Sequence, residues 1–131
     1  MRQNIMRTGA SLLSFCVLLM AESFSAGDVA ILGDLDYEHT SEALECPAKQ
    51  KFCSLLFNGL SGDRVQVVVR GGEDKPFVAL ADGSLTELAR GSGEVSATLP
   101  EVADRLATYY IVFRDVNGKP GRFTVQLKKV K

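Results

Sequence analysis

Short runs of apolar residues separated by glycine-containing turns are the feature that most constrains the fold of this chain. Five such turn segments recur along the sequence: NGLSGD at 58–63, RGGEDKP at 70–76, ADGS at 81–84, RGSGE at 90–94 and VNGKPG at 116–121. Strand-length runs rich in β-branched and aromatic residues between such turns are typical of antiparallel sandwiches and barrels. The sequence therefore predicts an all-β, antiparallel fold in two layers, with 90–94 forming a hairpin turn.

Alternation of apolar and polar residues inside the runs supports this prediction. Every second residue of RVQVVVR at 64–70 is a valine, and apolar residues alternate with threonine, glutamine and lysine in RFTVQLK at 122–128. A period of two is that of a strand with one buried face. Further strands are predicted at 29–35, 77–81, 85–90 and 94–99, which gives about eight strands in all. The segments 38–45 and 100–106 are predicted to be polar or irregular connections.

The first residues have the layout of a secretory signal peptide. Arg2 and Arg7 precede an apolar run, 9–21, which is too short for a typical membrane-spanning helix. Cleavage after Ser25 would place serines at the two positions that require small residues. The sequence therefore predicts a signal peptide at 1–25 and a single domain at 26–131, secreted or periplasmic and without a stable membrane anchor; an uncleaved anchor is the alternative.

Cysteine pairing follows from this prediction. Removal of 1–25 would remove Cys16 and leave Cys46 and Cys53, which bracket the segment CPAKQKFC. An even number of cysteines in an exported protein favours a disulfide. Free buried thiols are the alternative, whereas two cysteines with the single histidine, His39, form an incomplete zinc site.

Charge is nearly balanced but unevenly distributed. The whole chain has a formal net charge of −1, so a global basic excess does not argue for nucleic-acid binding. Residues 28–45 include acids but no lysine or arginine, and 119–131 include lysine and arginine but no acid. One interpretation is that the two segments lie near each other, or that each is simply exposed to solvent. The other is that they form a binding face.

Catalytic and metal-binding patterns are sparse. His39 could serve a small hydrolase as a general base, but no G-x-S-x-G nucleophile motif accompanies it. Asp34, Asp36 and Glu38 offer the hard oxygen ligands that calcium prefers, but they lack the EF-hand pattern. No cofactor is therefore predicted, and calcium remains an alternative.

Candidate binding residues lie on the strand TYYIVFRD at 108–115. If Tyr109 and its alternate neighbours face the core, Tyr110 and Arg114 project together from the opposite, solvent-facing side. Exposed aromatic and arginine side chains are common anchors of binding surfaces. Tyr110 and Arg114 are therefore the candidate binding residues, although Tyr110 could instead pack under a loop and Arg114 could pair with an acid.

The order of these motifs resembles that of bacterial pre-peptidase C-terminal domains. The segments that carry the resemblance are GDVAILGDLDYE, SLLFNGLSGDRVQVVV, FVALADGSLTELARG and ATYYIVFRDVNGKPGRFTVQL, which together span most of 28–129. The resemblance implies a jelly-roll-like β-sandwich that is non-catalytic and usually appended to exported enzymes, with some members binding polymers or calcium. We expect this chain to depart from that setting, because no catalytic domain is predicted beside the sandwich.

These observations lead to one main functional hypothesis. We expect an exported, non-catalytic binding domain whose partner is an extracytoplasmic protein, a polysaccharide or another surface polymer. The alternatives are a small secreted hydrolase that uses His39 and a calcium-stabilised structural domain.

Overall fold

The computed structural model describes residues 23–72 and 74–130. Residues 1–22, which hold most of the predicted signal peptide, lie outside this part of the chain. A single turn of 3-10 helix, Ala26–Asp28, precedes ten strands. The strands are β1 (Val29–Asp34), β2 (His39–Thr40), β3 (Leu44–Cys46), β4 (Phe52–Leu60), β5 (Arg64–Gly71), β6 (Phe77–Ala81), β7 (Glu87–Ser92), β8 (Glu94–Thr98), β9 (Leu106–Arg114) and β10 (Gly121–Val130).

The strands form two sheets, which confirms the predicted β-sandwich. The first sheet has the order β1-β4-β9-β6-β7, and the second has the order β2-β10-β5-β8, with β3 also paired to β10. The pairs are antiparallel except β1 with β4, which is parallel. Eight of the strands have five or more residues, in agreement with the predicted number. The two short strands, β2 and β3, lie in the segment that the sequence analysis assigned to a polar connection.

The core lies between the sheets and is built from the residues that the alternation predicted. On β5 the valines at 65, 67 and 69 are almost completely buried, and on β9 Tyr109, Ile111 and Phe113 are buried on the face towards the other sheet. Because side chains of a strand point alternately to opposite faces, each of these strands contributes one row to the core.

The segment around Gly93 connects the two sheets and is not the predicted hairpin turn. It joins β7 of the first sheet to β8 of the second. Gly93 has φ of 77°, a conformation that favours glycine. Its backbone N–H donates to Pro76 O at 2.7 Å, and its carbonyl accepts from Val69 N at 2.8 Å. The alternation fixed the strands on either side of this turn, but it did not show which sheet each strand would join.

A disulfide between Cys46 and Cys53 ties the two sheets together. Cys46 ends β3, which pairs with β10 of the second sheet, while Cys53 lies in β4 of the first. Both residues are buried, and their Cα atoms are 6.0 Å apart. The predicted pairing is therefore present in the structure.

Part of the acidic N-terminal segment lies along the basic C-terminal strand. Glu38 accepts a hydrogen bond from the backbone N–H of Lys129 at 2.8 Å, and β2 and β3 both pair with β10. The segregation of charge along the sequence therefore reflects, in part, two segments that are neighbours in the fold.

The connection predicted at 100–106 is irregular up to residue 105, because Leu106 already begins β9. It contains one turn closed by a hydrogen bond from Arg105 N to Val102 O at 3.1 Å. Within the described residues, no helix has the length and hydropathy needed to cross a bilayer.

Candidate binding face of the first sheet

The outer face of the first sheet carries a second apolar cluster, which the sequence analysis did not predict. Val112 is completely buried there, although the alternation assigned this side of β9 to solvent. The buried members of the cluster are Val29, Ala79, Ala81, Leu85 and Val112, and the partly buried ones are Phe24, Phe52, Phe77 and Tyr110. The prediction of a solvent-facing side was wrong because residues N-terminal to β1 and the turn after β6 cover part of it.

Arg114 lies against two aromatic rings at the edge of this cluster. Its guanidinium Cζ is 4.9 Å from the ring centroid of Phe52 and 5.6 Å from that of Phe77. Phe52 begins β4 and Phe77 begins β6, and both strands flank β9, which ends at Arg114. Antiparallel pairing with β9 therefore brings the three side chains together. An arginine within about 6 Å of a ring centroid is attracted by the negative face of the ring.

The residues before β1 pack against the aromatic rings that surround Arg114. Phe24 donates its backbone N–H to Leu85 O at 2.9 Å, and Ser23 forms an isolated bridge with Thr86. The ring of Phe24 lies edge-on to that of Phe52, with centroids 5.0 Å apart. Ser23 and Phe24 therefore belong to the folded unit, although the predicted cleavage after Ser25 would remove them.

Leu85, whose backbone oxygen accepts the hydrogen bond from Phe24 N, is buried and lies in a tight turn. Leu85 has φ of 64°, which is unusual for a residue with a branched side chain. The Asp82 carboxylate accepts hydrogen bonds from the backbone N–H groups of Ser84 and Thr86 at 2.9 and 3.0 Å. The backbone oxygen of Asp82 accepts another from Leu85 N. This turn places the Leu85 side chain in the apolar cluster and turns its carbonyl towards Phe24.

An open pocket of about 390 Å³, which we call the Arg114 pocket, lies beside these rings. It is lined by Ser23, Phe24, Ser25, Asp28, Phe52, Phe77, Arg90 and Arg114.

Two of the charged groups around the Arg114 pocket have partners of opposite sign. Arg90 contacts the Glu87 carboxylate through two nitrogens, at distances of 2.9 and 2.6 Å. The Asp28 carboxylate lies 3.7 Å from Lys51 Nζ. Both pairs are partly exposed, so solvent weakens them.

Arg114, unlike Arg90 and Asp28, has no partner of opposite charge among the described residues. Its Nε is buried, and no hydrogen-bond acceptor among the described residues reaches it. No ion pair joins Arg114 to a carboxylate in that same part of the chain. Buried polar groups are usually hydrogen-bonded, so the Arg114 side chain retains binding capacity that the fold itself does not use.

The structure places both candidate binding residues, Tyr110 and Arg114, on this face. It adds Phe24, Phe52 and Phe77, which the sequence analysis did not select. Phe52 and Phe77 could have been found, because each stands one residue before an inward-facing position of its strand. Phe24 could not, since it falls inside the predicted signal peptide.

His39 and the acidic trio do not form a recognisable reactive site. His39 is exposed in β2, and its Nδ1 lies 2.9 Å from the backbone oxygen of Tyr37, the only hydrogen bond of its ring among the described residues. Within that same set, no group of three or more histidine, cysteine, aspartate or glutamate residues could hold a metal ion. Asp34, Asp36 and Glu38 thus do not converge on one point.

A polar network at one end of the sandwich centres on Asp63. Its carboxylate accepts from Tyr37 OH at 2.8 Å and from Leu60 N at 3.0 Å, and it lies 3.5 Å from Lys129 Nζ. Burial raises the pKa of Asp63, but the hydrogen bonds from Tyr37 and Leu60 and the charge of Lys129 outweigh burial and hold it below its ordinary value. Burial, together with the neighbouring Asp63 carboxylate, raises the pKa of Tyr37.

The fold and this face define a class: a two-sheet β-sandwich with an aromatic and arginine-bearing outer surface. The chain has the fold of a pre-peptidase C-terminal domain, as its similarity to that domain of a collagenase from Bacillus anthracis shows. The two share 13% identity with a TM-score of 0.52, over 76% of this chain and 94% of that one.

A second similar structure is PliG, a periplasmic inhibitor of g-type lysozyme from Aeromonas hydrophila. It shares 12% identity with a TM-score of 0.47, over 76% of this chain and 99% of that one. The sequence matches no protein-family model and no curated protein.

Proposed function

We propose that this chain is an exported, non-catalytic binding domain. The outer face of its first sheet holds an extracytoplasmic protein or polymer. The observation that carries the proposal is Arg114, which lies against Phe52 and Phe77 with a buried Nε that no described residue satisfies. Aromatic and arginine side chains supply much of the binding energy at protein interfaces. A guanidinium already held against rings loses little further freedom on binding.

Tyr110 extends this surface along β9. It lies on the same side of the strand as Arg114 and packs against the outer apolar cluster, with part of its side chain still exposed. A tyrosine in this position offers a ring for packing and a hydroxyl for hydrogen bonding. The proposed binding face therefore runs from Tyr110 to the Arg114 pocket.

The cysteine pair and the N-terminal sequence support export. Disulfides persist mainly in oxidising compartments, and the pair Cys46–Cys53 is buried in the core of the sandwich. The basic and apolar layout of 1–25 supplies the targeting signal. We therefore place the working protein in the periplasm or outside the cell.

Site-specific photo-crosslinking tests the binding face. A benzoylphenylalanine replaces Tyr110 in one protein and Gln66, on the outer face of the second sheet, in a matched control. Each purified protein is irradiated in an extracytoplasmic extract of the native source, and adducts are identified by mass. We expect one discrete adduct from position 110 and none from position 66. Equal labelling from both positions, or none from either, would contradict the proposal.

A further inference from the structure

We propose that the Arg114 pocket binds a carboxylate of the partner, and that Arg114 is the residue that holds it. This inference rests on the proposed function, because it names the chemical group that the outer face recognises.

The position of Arg114 leaves its buried Nε without a hydrogen-bond acceptor among the described residues. The Phe52 and Phe77 rings contact the guanidinium at 4.9 and 5.6 Å without accepting conventional hydrogen bonds from it. Arginine has five N–H donors in a planar fork, and a carboxylate can accept two of them side by side. The rings therefore restrict the head group, while its donors lack a carboxylate partner among residues 23–72 and 74–130.

The charges around the pocket favour a ligand group with a single negative charge. Arg90 contacts Glu87 and Asp28 contacts Lys51, so each of these pocket charges has a partner of opposite sign. Arg114 then contributes one positive charge next to phenyl rings, and no carboxylate within residues 23–72 and 74–130 forms an ion pair with it. A carboxylate on an apolar stem matches both the charge and the rings, whereas a doubly charged phosphate would be costlier to remove from water beside them.

The partner we assign is a protein that presents an aspartate or glutamate side chain from an extended segment. The chain itself shows that an extended polypeptide fits here, because Phe24 hydrogen-bonds to Leu85 O and packs its ring on Phe52. The predicted cleavage after Ser25 would remove Phe24 and leave this place to a segment of the partner. Uronic acids of a polysaccharide carry the same carboxylate group, so they form the second arm of the test.

The experiment follows the Hε resonance of Arg114 by ¹⁵N NMR. The folded protein that begins at Ala26, the product of the predicted cleavage, is titrated with poly-L-glutamate, with polygalacturonate and with uncharged dextran. We expect poly-L-glutamate to shift the Arg114 Hε signal and dextran to leave it unchanged. No shift with either carboxylate polymer would overturn the proposal. Stronger binding of polygalacturonate than of poly-L-glutamate would overturn the assignment to a protein partner.

Variants separate Arg114 from charge in general. Arg114→Gln removes the charge, Arg114→Lys keeps the charge without the fork, and Arg70→Gln removes an exposed arginine from the other sheet. We expect both changes at Arg114 to weaken poly-L-glutamate binding by about tenfold, and Arg70→Gln to weaken it less than about twofold. Equal losses for Arg70→Gln and Arg114→Gln would overturn the inference. Thermal unfolding of each variant, with retention of the folded state, is the control.

The same variants distinguish this inference from the proposed function. If the adduct from position 110 persists undiminished in Arg114→Gln, the carboxylate assignment fails and the binding face stands. If position 110 gives no adduct in the unaltered background, the proposed function itself fails.

Discussion

Asp63 is the residue on which the polar contacts at one end of the sandwich converge. It is only 9% exposed, and it connects the turn before β5 to Tyr37 and to Lys129 near the end of β10. A buried carboxylate is tolerated when hydrogen bonds and a nearby cation compensate for lost hydration. These contacts predict that Asp63 stabilises the fold in its ionised form.

We expect Asp63→Asn to lower the free energy of unfolding by about 1–3 kcal/mol at neutral pH. Because folding lowers the pKa of Asp63, its ionised form contributes stability above the ordinary aspartate pKa. That contribution is lost as the pH falls through the folded-state value. The difference between the two proteins should therefore shrink in acid. Urea unfolding measured at several pH values from 7 downwards tests this, and a constant difference would contradict it.

Phe24 gives a second prediction at the residue scale. We expect Phe24→Ala to destabilise the protein by about 1–2 kcal/mol, because a half-buried ring leaves the cluster around Phe52. Ser25→Ala is the control, since Ser25 is exposed and its side chain forms no capping hydrogen bond. Both proteins begin at Ser23, and chemical denaturation compares them. A chain that begins at Ala26 should match Phe24→Ala in stability if this ring is the important contact.

At the scale of elements, the passage from β7 to β8 requires two strands of different sheets to approach closely. A side chain at Gly91 would meet the backbone carbonyl of Glu94, so the corner depends on the absence of a Cβ there. Gly93, which has a positive φ, then carries the chain from the first sheet to the second. Glycine is used at such corners because it permits close backbone contact.

Gly91→Ala should therefore destabilise the protein by about 1–3 kcal/mol through steric overlap with Glu94. Gly27→Ala is the matched control, because a Cβ at Gly27 meets nothing within 4 Å. Urea denaturation of the two variants measures the difference. Equal stability of both variants would show that the corner can relax at little cost.

At the scale of the whole molecule, the disulfide is a covalent link between sheets that otherwise meet through side-chain packing and chain crossings. Cys53 belongs to β4 of the first sheet and is completely buried. Cys46 belongs to β3, which pairs with β10 of the second sheet. The link closes a short loop, so the chain-entropy gain is moderate. It nevertheless matters because a single domain of this size has a small net stability.

We expect the double variant Cys46→Ser with Cys53→Ser to lose about 2–3 kcal/mol of stability, the value for a loop of roughly eight residues. Burial of two hydroxyl groups without assured partners adds to this loss. Calorimetric melting of the oxidised protein, the reduced protein and the double variant measures the effect. If reduction leaves the melting temperature unchanged, the disulfide has no such role.

The strands were predictable because period-two alternation is a local property of the chain. Val65 and Phe123 could be assigned to the core from their immediate neighbours alone. The role of Val112 could not, because its burial depends on Phe24 and Leu85, which are distant in the sequence. The composition of the candidate site was therefore only partly predictable: the sequence analysis selected Tyr110 and Arg114 as candidates, but it did not select the rings around Arg114.

The sequence alone determined the class of the molecule, since alternation and glycine turns indicate strands, and an even number of cysteines in the predicted mature chain favours a disulfide. Only the tertiary structure decided which strands share a sheet, that β1 runs parallel to β4, and that Gly93 crosses from one layer to the other. It also decided the surroundings of Arg114. The physical reason is that local patterns do not encode contacts between distant segments. Those contacts decide which strands pair and which residues pack over the outer face of a sheet.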